Sequence, residues 1–562
     1  MADVNPNPRL ITFVIGVTGH RDLRPGDVPA LETALGAVFA KLRGRMPSTP
    51  LMLLSALAEG ADQLTAQVAL ARGVQLGAVL PMPASLYRST LEEPARQPFD
   101  ALLARAALVI ELPLGGAPVQ QYEALAVFLA THSQELIALW DGVPSDSKGG
   151  TAQVVRYMLE GPPGTAEDEP QAGPVHHVLT ARRNHAGTAA GPIGSVRLLT
   201  PPHGPDDSGT GAKYELAARR LDAFNQDAAE VGEPGGQAWD CLLLGHQESA
   251  EVPSHCLRVA QCYRAADLAS LRFNHLTRTV LKWLLFFAML AIAAFEVYAH
   301  VLPRIVALWL VYPVSLFIGW LVYRYANKRE VEKRYLDYRA LAEALRVQFF
   351  WGLAGIPDSV SESYLRHHRT ELDWIRSALR SVALFSAAQR KHQPPETGIR
   401  LALEHWVQNQ ATWYADKSMQ QKGTLETLDH RSGILLFVVW LLSMVVPLSL
   451  LVPSPWLDGW RAAASEEPYR GLLLLLVPLP SLAIGLFRVW VEQQGYAEQA
   501  RKYDRMARVF RRAAKRVGDD LDAGRLDEAL EALRALGSEA LEENGDWLLL
   551  HRERPLKVVG TA

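Results

Sequence analysis

Residues 10–17 are an unbroken apolar run rich in β-branched side chains, the pattern of a strand buried on both faces of a parallel sheet. The run ends in Gly16-Val-Thr-Gly-His-Arg21, and a helical period follows. Val28, Leu31, Leu35, Val38, Phe39 and Leu42 share one face of it, with Asp27 as a cap. The same alternation continues: a strand over 51–57, then Ala58-Glu-Gly-Ala-Asp62 and a helix to about residue 72. Next come a strand over 76–80, a loop carrying Pro81, Pro83 and Tyr87, and a strand over 107–112. Gly115-Gly116 leads into a helix through Tyr122 and Glu123, and a strand over 135–140 ends in Asp141-Gly142. Lys148-Gly-Gly-Thr151 precedes one more helix, and 175–180 and 195–199 supply further strands. Strands alternating with helices at this spacing predict a doubly wound, Rossmann-like α/β parallel-sheet domain.

Beyond residue 280 the pattern changes. Four apolar runs cover 283–295 (extending to about 301), 305–323, 433–452 and 471–491. A helix needs about 20 mostly apolar residues to cross a hydrocarbon core roughly 30 Å thick. Buried core helices are the alternative, but these runs lack the polar stripe such helices show. An all-α region of four transmembrane helices is therefore expected. Long helices over 324–350 and 492–516 extend it; their Arg and Lys hold the lipid surface, or give a sensor something to push on. Basic residues crowd one side: Arg272, Arg278 and Lys282 before the first run, Lys328, Arg329 and Lys333 after the second, Arg501 to Arg512 after the fourth. By the positive-inside rule both termini are cytoplasmic, in a multi-pass protein of the inner (plasma) membrane. The expected divisions are 1–212 (α/β domain), 213–279 (helical connector), 280–323 and 433–491 (membrane hairpins), and 324–432 and 492–562 (cytoplasmic helices).

Charge and composition add little to this. A formal net charge of -3 over 562 residues gives no global basic field, so a nucleic acid polymer is not expected as partner. Cys241, Cys256 and Cys262 fit neither a metal-ligand spacing nor a disulfide framework, and neither a metal nor a cofactor is expected. Residues 1–8 have no basic stretch followed by an apolar one, so no secretory signal is expected.

The candidate chemistry lies beyond the carboxyl ends of the expected strands, where such sheets bind ligands. The first end carries Gly16, Thr18, Gly19, His20 and Arg21; the second, Ser55, Glu59, Gly60 and Asp62. Later ends add Pro81, Tyr87, Glu123, Asp141, Gly149, Gly150 and Thr151. Glycines let backbone N–H groups approach a phosphate, and a helix N-terminus adds partial positive charge. Thr18 offers a hydroxyl donor and Arg21 a bidentate contact, while Glu59, Asp62 and Glu123 can accept ribose hydroxyls. The plainer reading is that the glycines only make turns and that Asp62 only caps a helix. His176, His177, Arg182, Arg183 and His185 either contact phosphate or form a solvated basic loop, and the second is favoured. Glu296 is a pore candidate, weighed against an interfacial residue beside Tyr298 and His300.

Gly16-Val-Thr-Gly-His-Arg21, Ser55-Ala-Leu-Ala-Glu-Gly-Ala-Asp62 and Pro81-Met-Pro83 with Tyr87 together resemble the SLOG superfamily over about residues 8–205. That superfamily includes the DNA-processing protein DprA, the cytokinin-activating LOG enzymes and the ligand-sensing domains of bacterial defence proteins. The resemblance implies a Rossmann-like fold that binds nucleotides or derivatives such as cyclic nucleotides and ADP-ribose relatives. LOG enzymes carry Pro-Gly-Gly-x-Gly-Thr-x-x-Glu. The matching stretch here reads Pro113-Leu-Gly-Gly-Ala-Pro-Val-Gln-Gln-Tyr-Glu123, without the Gly-Thr, which counts against glycosidic cleavage. Glu123 aligns with the family glutamate. The membrane helices with their basic extensions, among them Tyr335-Leu-Asp-Tyr-Arg-Ala-Leu-Ala-Glu-Ala-Leu-Arg-Val-Gln-Phe-Phe-Trp351, are similar to SLATT modules, two-span units predicted to form pores. The resemblance implies a homo-oligomeric antiviral effector, gated by a nucleotide signal through oligomerisation or pore opening. The alternative it leaves is a membrane-anchored nucleotide N-glycosidase with Glu123 as its acid.

Overall fold

The structure is a computed structural model, describing residues 7–115, 117–163, 172–183, 191–201, 210–231, 243, 253–364, 372–388, 395–451, 455–466, 469–475 and 478–553. One sheet contains β1 Phe13–Gly19, β2 Leu51–Ser55, β3 Gln75–Leu80, β4 Leu108–Glu111, β5 Glu135–Trp140, β6 Val175–Leu179 and β7 Val196–Leu199. Its order is β4-β3-β2-β1-β5-β6-β7, with every pair parallel except β6–β7. The expected Rossmann-like α/β domain is therefore present. Its strands β1 and β2 are buried along almost their whole length because helices flank the sheet. These are α1 Val28–Arg45, α2 Ala61–Ala71, α3 Ala84–Ser89, α4 Glu93–Leu103, α5 Pro118–His132 and α6 Thr151–Glu160.

Two details differ from the sequence pattern. β1 runs on to Gly19 because Thr18 and Gly19 still pair with Ala138 and Leu139 of β5. Between β3 and β4 the expected loop is two helices, α3 and α4. Pro83 stands at the N-cap of α3 and Pro94 in the first turn of α4, where a missing N–H costs no helical bond. Tyr87 thus sits on a helix, edge-on to Phe99 at 5.8 Å.

After the sheet come α7 Thr210–Glu230, α8 Ser254–His300, α9 Val306–Lys328, α10 Val331–Ala354, α11 Val360–Ser363, α12 Asp373–Ala388 and α13 Pro395–Ala402. The chain continues through α14 Asn409–Leu451, α15 Asp458–Ser465, α16 Tyr469–Leu475, α17 Pro478–Gln494, α18 Tyr496–Asp522 and α19 Leu526–Glu553. The contacts divide the chain into two compact units: Met1–Ala269 with Asp337–Leu401 and Gly537–Trp547, and Ser270–Leu336 with Ala402–Leu536 and Leu548–Ala562.

In the first unit the sheet shares its core with helices distant in sequence. Leu384 and Phe385 of α12 pack into the cluster formed by Val14, Leu136 and Val175. Asn225 of α7, fully buried, accepts the N–H of Ile11 at 2.8 Å and donates to the Ile11 carbonyl and to Thr49. Such a side chain is buried because each of its groups finds a partner. Phe224, Tyr338 and Trp374 form an aromatic cluster, with the Tyr338 hydroxyl on Asp227 at 2.6 Å and the Trp374 indole on Asp337 at 3.1 Å. Nearby, Arg339 bridges Asp267 and Glu343, and Arg346 bridges Glu343 and the Tyr263 hydroxyl.

In the second unit, α8, α9, α14 and the α16–α17 segment are long and apolar enough to cross a membrane. Only 22, 6, 12 and 12 % of their most apolar windows is buried within the protein, which is the reverse of core helices. Trp309, Phe317, Trp320, Phe437 and Trp440 are among the large side chains turned outward, as lipid-facing residues are. The chain is thus a multi-pass membrane protein whose spans imply a lipid bilayer around them. Pro447 lies inside α14, whereas Pro478 opens α17, with 476 and 477 outside the described residues. The Ser418 hydroxyl of α14 donates to the carbonyl of Ala500 in α18 at 3.0 Å, and Tyr414 packs on Tyr503 and Phe510.

Candidate functional site

The strand order reverses between β1 and β5, and a cleft of about 1350 Å³ opens at their carboxyl ends. Thr18, Gly19, His20 and Arg21 line it from β1, Glu59, Gly60 and Asp62 from the turn into α2, and Tyr87 from α3. Asp141 follows from β5, and Gly149, Gly150 and Thr151 from the entry to α6. Four expected site residues are not in its wall. Gly16 is packed inside the sheet against Ser133 and Leu136. The buried Ser55 hydroxyl accepts the N–H of Leu57 at 3.0 Å, bracing a backbone that is left-handed at φ 57. Pro81 is buried and is not among the residues that line the cleft. Glu123 is held outside by Lys148 at 3.3 Å, the Tyr157 hydroxyl at 3.3 Å and Gln153 at 3.5 Å.

The turn before α2 is built by close backbone approach. Gly60 has φ 80, and a Cβ there would overlap the Arg21 carbonyl. The His20 carbonyl takes the N–H of Ala61 at 3.1 Å, so the two segments are locked together. Gly60→Ala is expected to destabilise the protein by about 1–3 kcal/mol, through strain at this positive φ and displacement of Arg21. A melting curve of the purified chain measures it, and an unchanged midpoint would show that the turn tolerates a side chain.

Arg21 is one of three arginines in the cleft wall, with Arg182 and Arg183. Its guanidinium lies 3.8 Å from Glu59 and 5.6 Å from the centre of the Tyr122 ring. Tyr122 in turn packs beneath Gly149, whose φ of 72 and lack of Cβ permit the approach. The entry to α6 is thereby brought to the same wall as Arg21, and the first turn of a helix carries N–H groups without helical partners. The Tyr87 hydroxyl is fully buried and has no hydrogen-bond partner among the described residues. A buried hydroxyl without a partner is costly, and this one lies on a residue of the cleft wall. Asp62, also buried, is pushed up to about 7, first by burial; Arg21 and the Ala58 and Ala56 N–H groups oppose the rise. His20 Nε2 lies 3.1 Å from the backbone nitrogen of Asp141 and 3.2 Å from its carboxylate, and burial, opposed by that carboxylate, holds the His20 pKa below the usual histidine range.

Sequence patterning missed Asp22 and Tyr122 as lining residues, although Asp22 directly follows the first glycine-bearing strand end and Tyr122 stands beside Glu123. Of the basic segment that was expected to be solvated, Arg182 and Arg183 line the cleft. They are tied back to it: Arg182 pairs with Asp22 at 3.1 Å, and Arg183 donates to the Leu23 carbonyl at 3.3 Å. His176 is buried against Glu135 at 2.7 Å, His177 bonds the Trp140 carbonyl at 3.0 Å, and His185 lies outside the described residues. In the second unit Glu296 pairs with His300 at 3.3 Å in the last turn of α8. No group of three His, Cys, Asp or Glu among the described residues could hold a metal. Compared with protein-family models and with curated proteins, the chain matches none.

Proposed function

We propose that this chain is a membrane effector whose α/β domain senses a nucleotide-derived signal, a cyclic nucleotide or an ADP-ribose derivative, and drives the membrane helices to oligomerise or open a pore. The observation that carries the reading is the cleft at the sheet's switch point, where Arg21, the entry to α6 and Tyr87 with its orphaned hydroxyl line one space. Its lining is mixed in sign. Arg21 suits a phosphate, and Glu59 and Asp62 suit hydroxyl donors such as those of ribose. The SLOG and SLATT resemblances agree with such a sensor coupled to a pore, in an antiviral setting with both termini cytoplasmic. The position of Glu123, bound by Lys148, Tyr157 and Gln153 outside the cleft wall, favours binding over N-glycosidic cleavage.

Equal affinity for resting and active states shifts nothing, so the ligand must favour the active state by several kcal/mol. The test is dye release from liposomes containing the full chain, screened with cyclic nucleotides, ADP-ribose derivatives and nucleoside monophosphates. Release is expected with one ligand class and not without it. Constitutive leakage, or none under any ligand, would overturn gating. A free base recovered from the ligand would put the glycosidase reading first.

A further inference from the structure

The second compact unit has a cavity of its own, about 290 Å³ in volume. Arg278 of α8 lines it, with Lys417, Gln420, Gln421 and Thr424 of α14 and Tyr496 of α18. Arg278 precedes the apolar run that opens at Trp283, and Tyr496 follows directly on α17, so the cavity lies on the basic-flanked side of the spans. Two cations share its wall, and no carboxylate is among the described residues that line it. Asp416 and Glu498 are adjacent in sequence to lining residues, yet neither faces in. Lys417 Nζ donates to the neutral Gln420 Oε1 at 2.9 Å, which leaves its charge uncompensated there. Like charges held in one cavity repel, and a shared anion removes that repulsion.

We propose that this cavity binds a phosphate group, from either an anionic lipid headgroup or a soluble phosphate. A phosphate oxygen accepts hydrogen bonds from guanidinium, ammonium, amide and phenol groups, and all four are present. Basic pockets between helices at a membrane surface hold anionic headgroups by this chemistry. The proposal does not depend on what the cleft of the α/β domain binds.

The test uses the full chain in a neutral detergent, with binding read by native mass spectrometry and by thermal shift. The probes are dioctanoyl phosphatidylglycerol, dioctanoyl phosphatidylcholine and inorganic phosphate at matched ionic strength. Saturable binding of phosphatidylglycerol, stronger than of phosphatidylcholine, is expected. It should weaken by about tenfold or more in the Arg278→Ala, Lys417→Ala double variant and persist in Arg278→Lys, Lys417→Arg. Binding of inorganic phosphate alone, lost in the same alanine pair, would keep the site and make its ligand soluble. If neither anion binds, or binding is the same in the alanine pair, the proposal is overturned. Should the pair fail to melt cooperatively, Arg278→Ala alone decides, since that side chain is exposed.

Discussion

Arg21→Ala lowers the affinity of the cleft for its phosphate-bearing ligand by about 100-fold, while the chain still inserts in membranes. A hydrogen bond made by a charged donor contributes about 1.5–3 kcal/mol net, which corresponds to roughly 10- to 150-fold in affinity. The upper part of that range applies because Arg21 is held ready: Glu59 and the Tyr122 ring already orient its guanidinium, so little freedom is lost on binding. Arg21→Lys should recover part of the loss, since a point charge replaces a planar fork. Calorimetry on the full chain, with the ligand that triggers dye release, measures both. Equal affinities for the native chain and the alanine variant would remove Arg21 from the site.

Asp62→Asn removes one component of the pH dependence of stability between pH 4 and 7, the component that falls as pH rises. Burial raises the Asp62 pKa from an ordinary 3.8 to about 7, so the folded chain keeps a proton that the unfolded chain releases across that window. The sign follows: the Asp62 contribution is greatest at the acid end, falls as pH rises through the window and stays low above it, while buried His132, held at about 4, contributes in the opposite sense in native and variant chains alike. At about 1.4 kcal/mol per unit, the shift corresponds to a loss of about 4 kcal/mol by pH 7.5. Melting curves of native and variant chains from pH 5 to pH 8 should therefore diverge as pH rises, with the variant the more stable at the alkaline end. Parallel curves would mean that Asp62 is ionised throughout. The same titration acts on the ligand, because a neutral Asp62 beside Arg21 leaves more net positive charge for a phosphate.

How much of this was legible in the sequence depends on the range over which each feature is encoded. The strands and spans were legible because they are local: β1, β2 and β5 are runs of β-branched and aliphatic residues, and the four spans are long apolar stretches. The helices α3 and α4 were not, because Pro81 and Pro83 register as breakers although proline is compatible with a helix start, and Pro98 even lies inside α4. Gly19, Gly60 and Gly149 were legible as candidate site positions for the reason glycine usually is, close approach of backbone. Gly16 and Ser55 carry the same outward signals, yet one packs the sheet and the other braces Leu57. Side-chain direction along a strand end decides between these outcomes, and composition does not contain it. The apposition of Tyr87, Arg21 and Tyr122 was out of reach, since three elements separated in sequence have to fold before those groups meet. The same applies to α12 and residues 537–547, which join the compact unit of the sheet from far along the chain.

The charged cluster between α8 and α10 constrains how these helices can move past each other. Burial opposes ionisation of Glu343, but Arg339 and Arg346 outweigh it and hold the carboxylate below its usual pKa. Arg339 also reaches Asp267 at 3.3 Å, and Arg346 reaches Tyr263 at 2.9 Å, so both partners on α8 are engaged at once. Sliding α8 by a fraction of a turn would separate Asp267 from Arg339 and Tyr263 from Arg346 together, while both arginines keep Glu343 on their own helix. The cluster therefore works as a mechanical detent. Small slips along the helix axis are opposed by both cross-helix contacts at once.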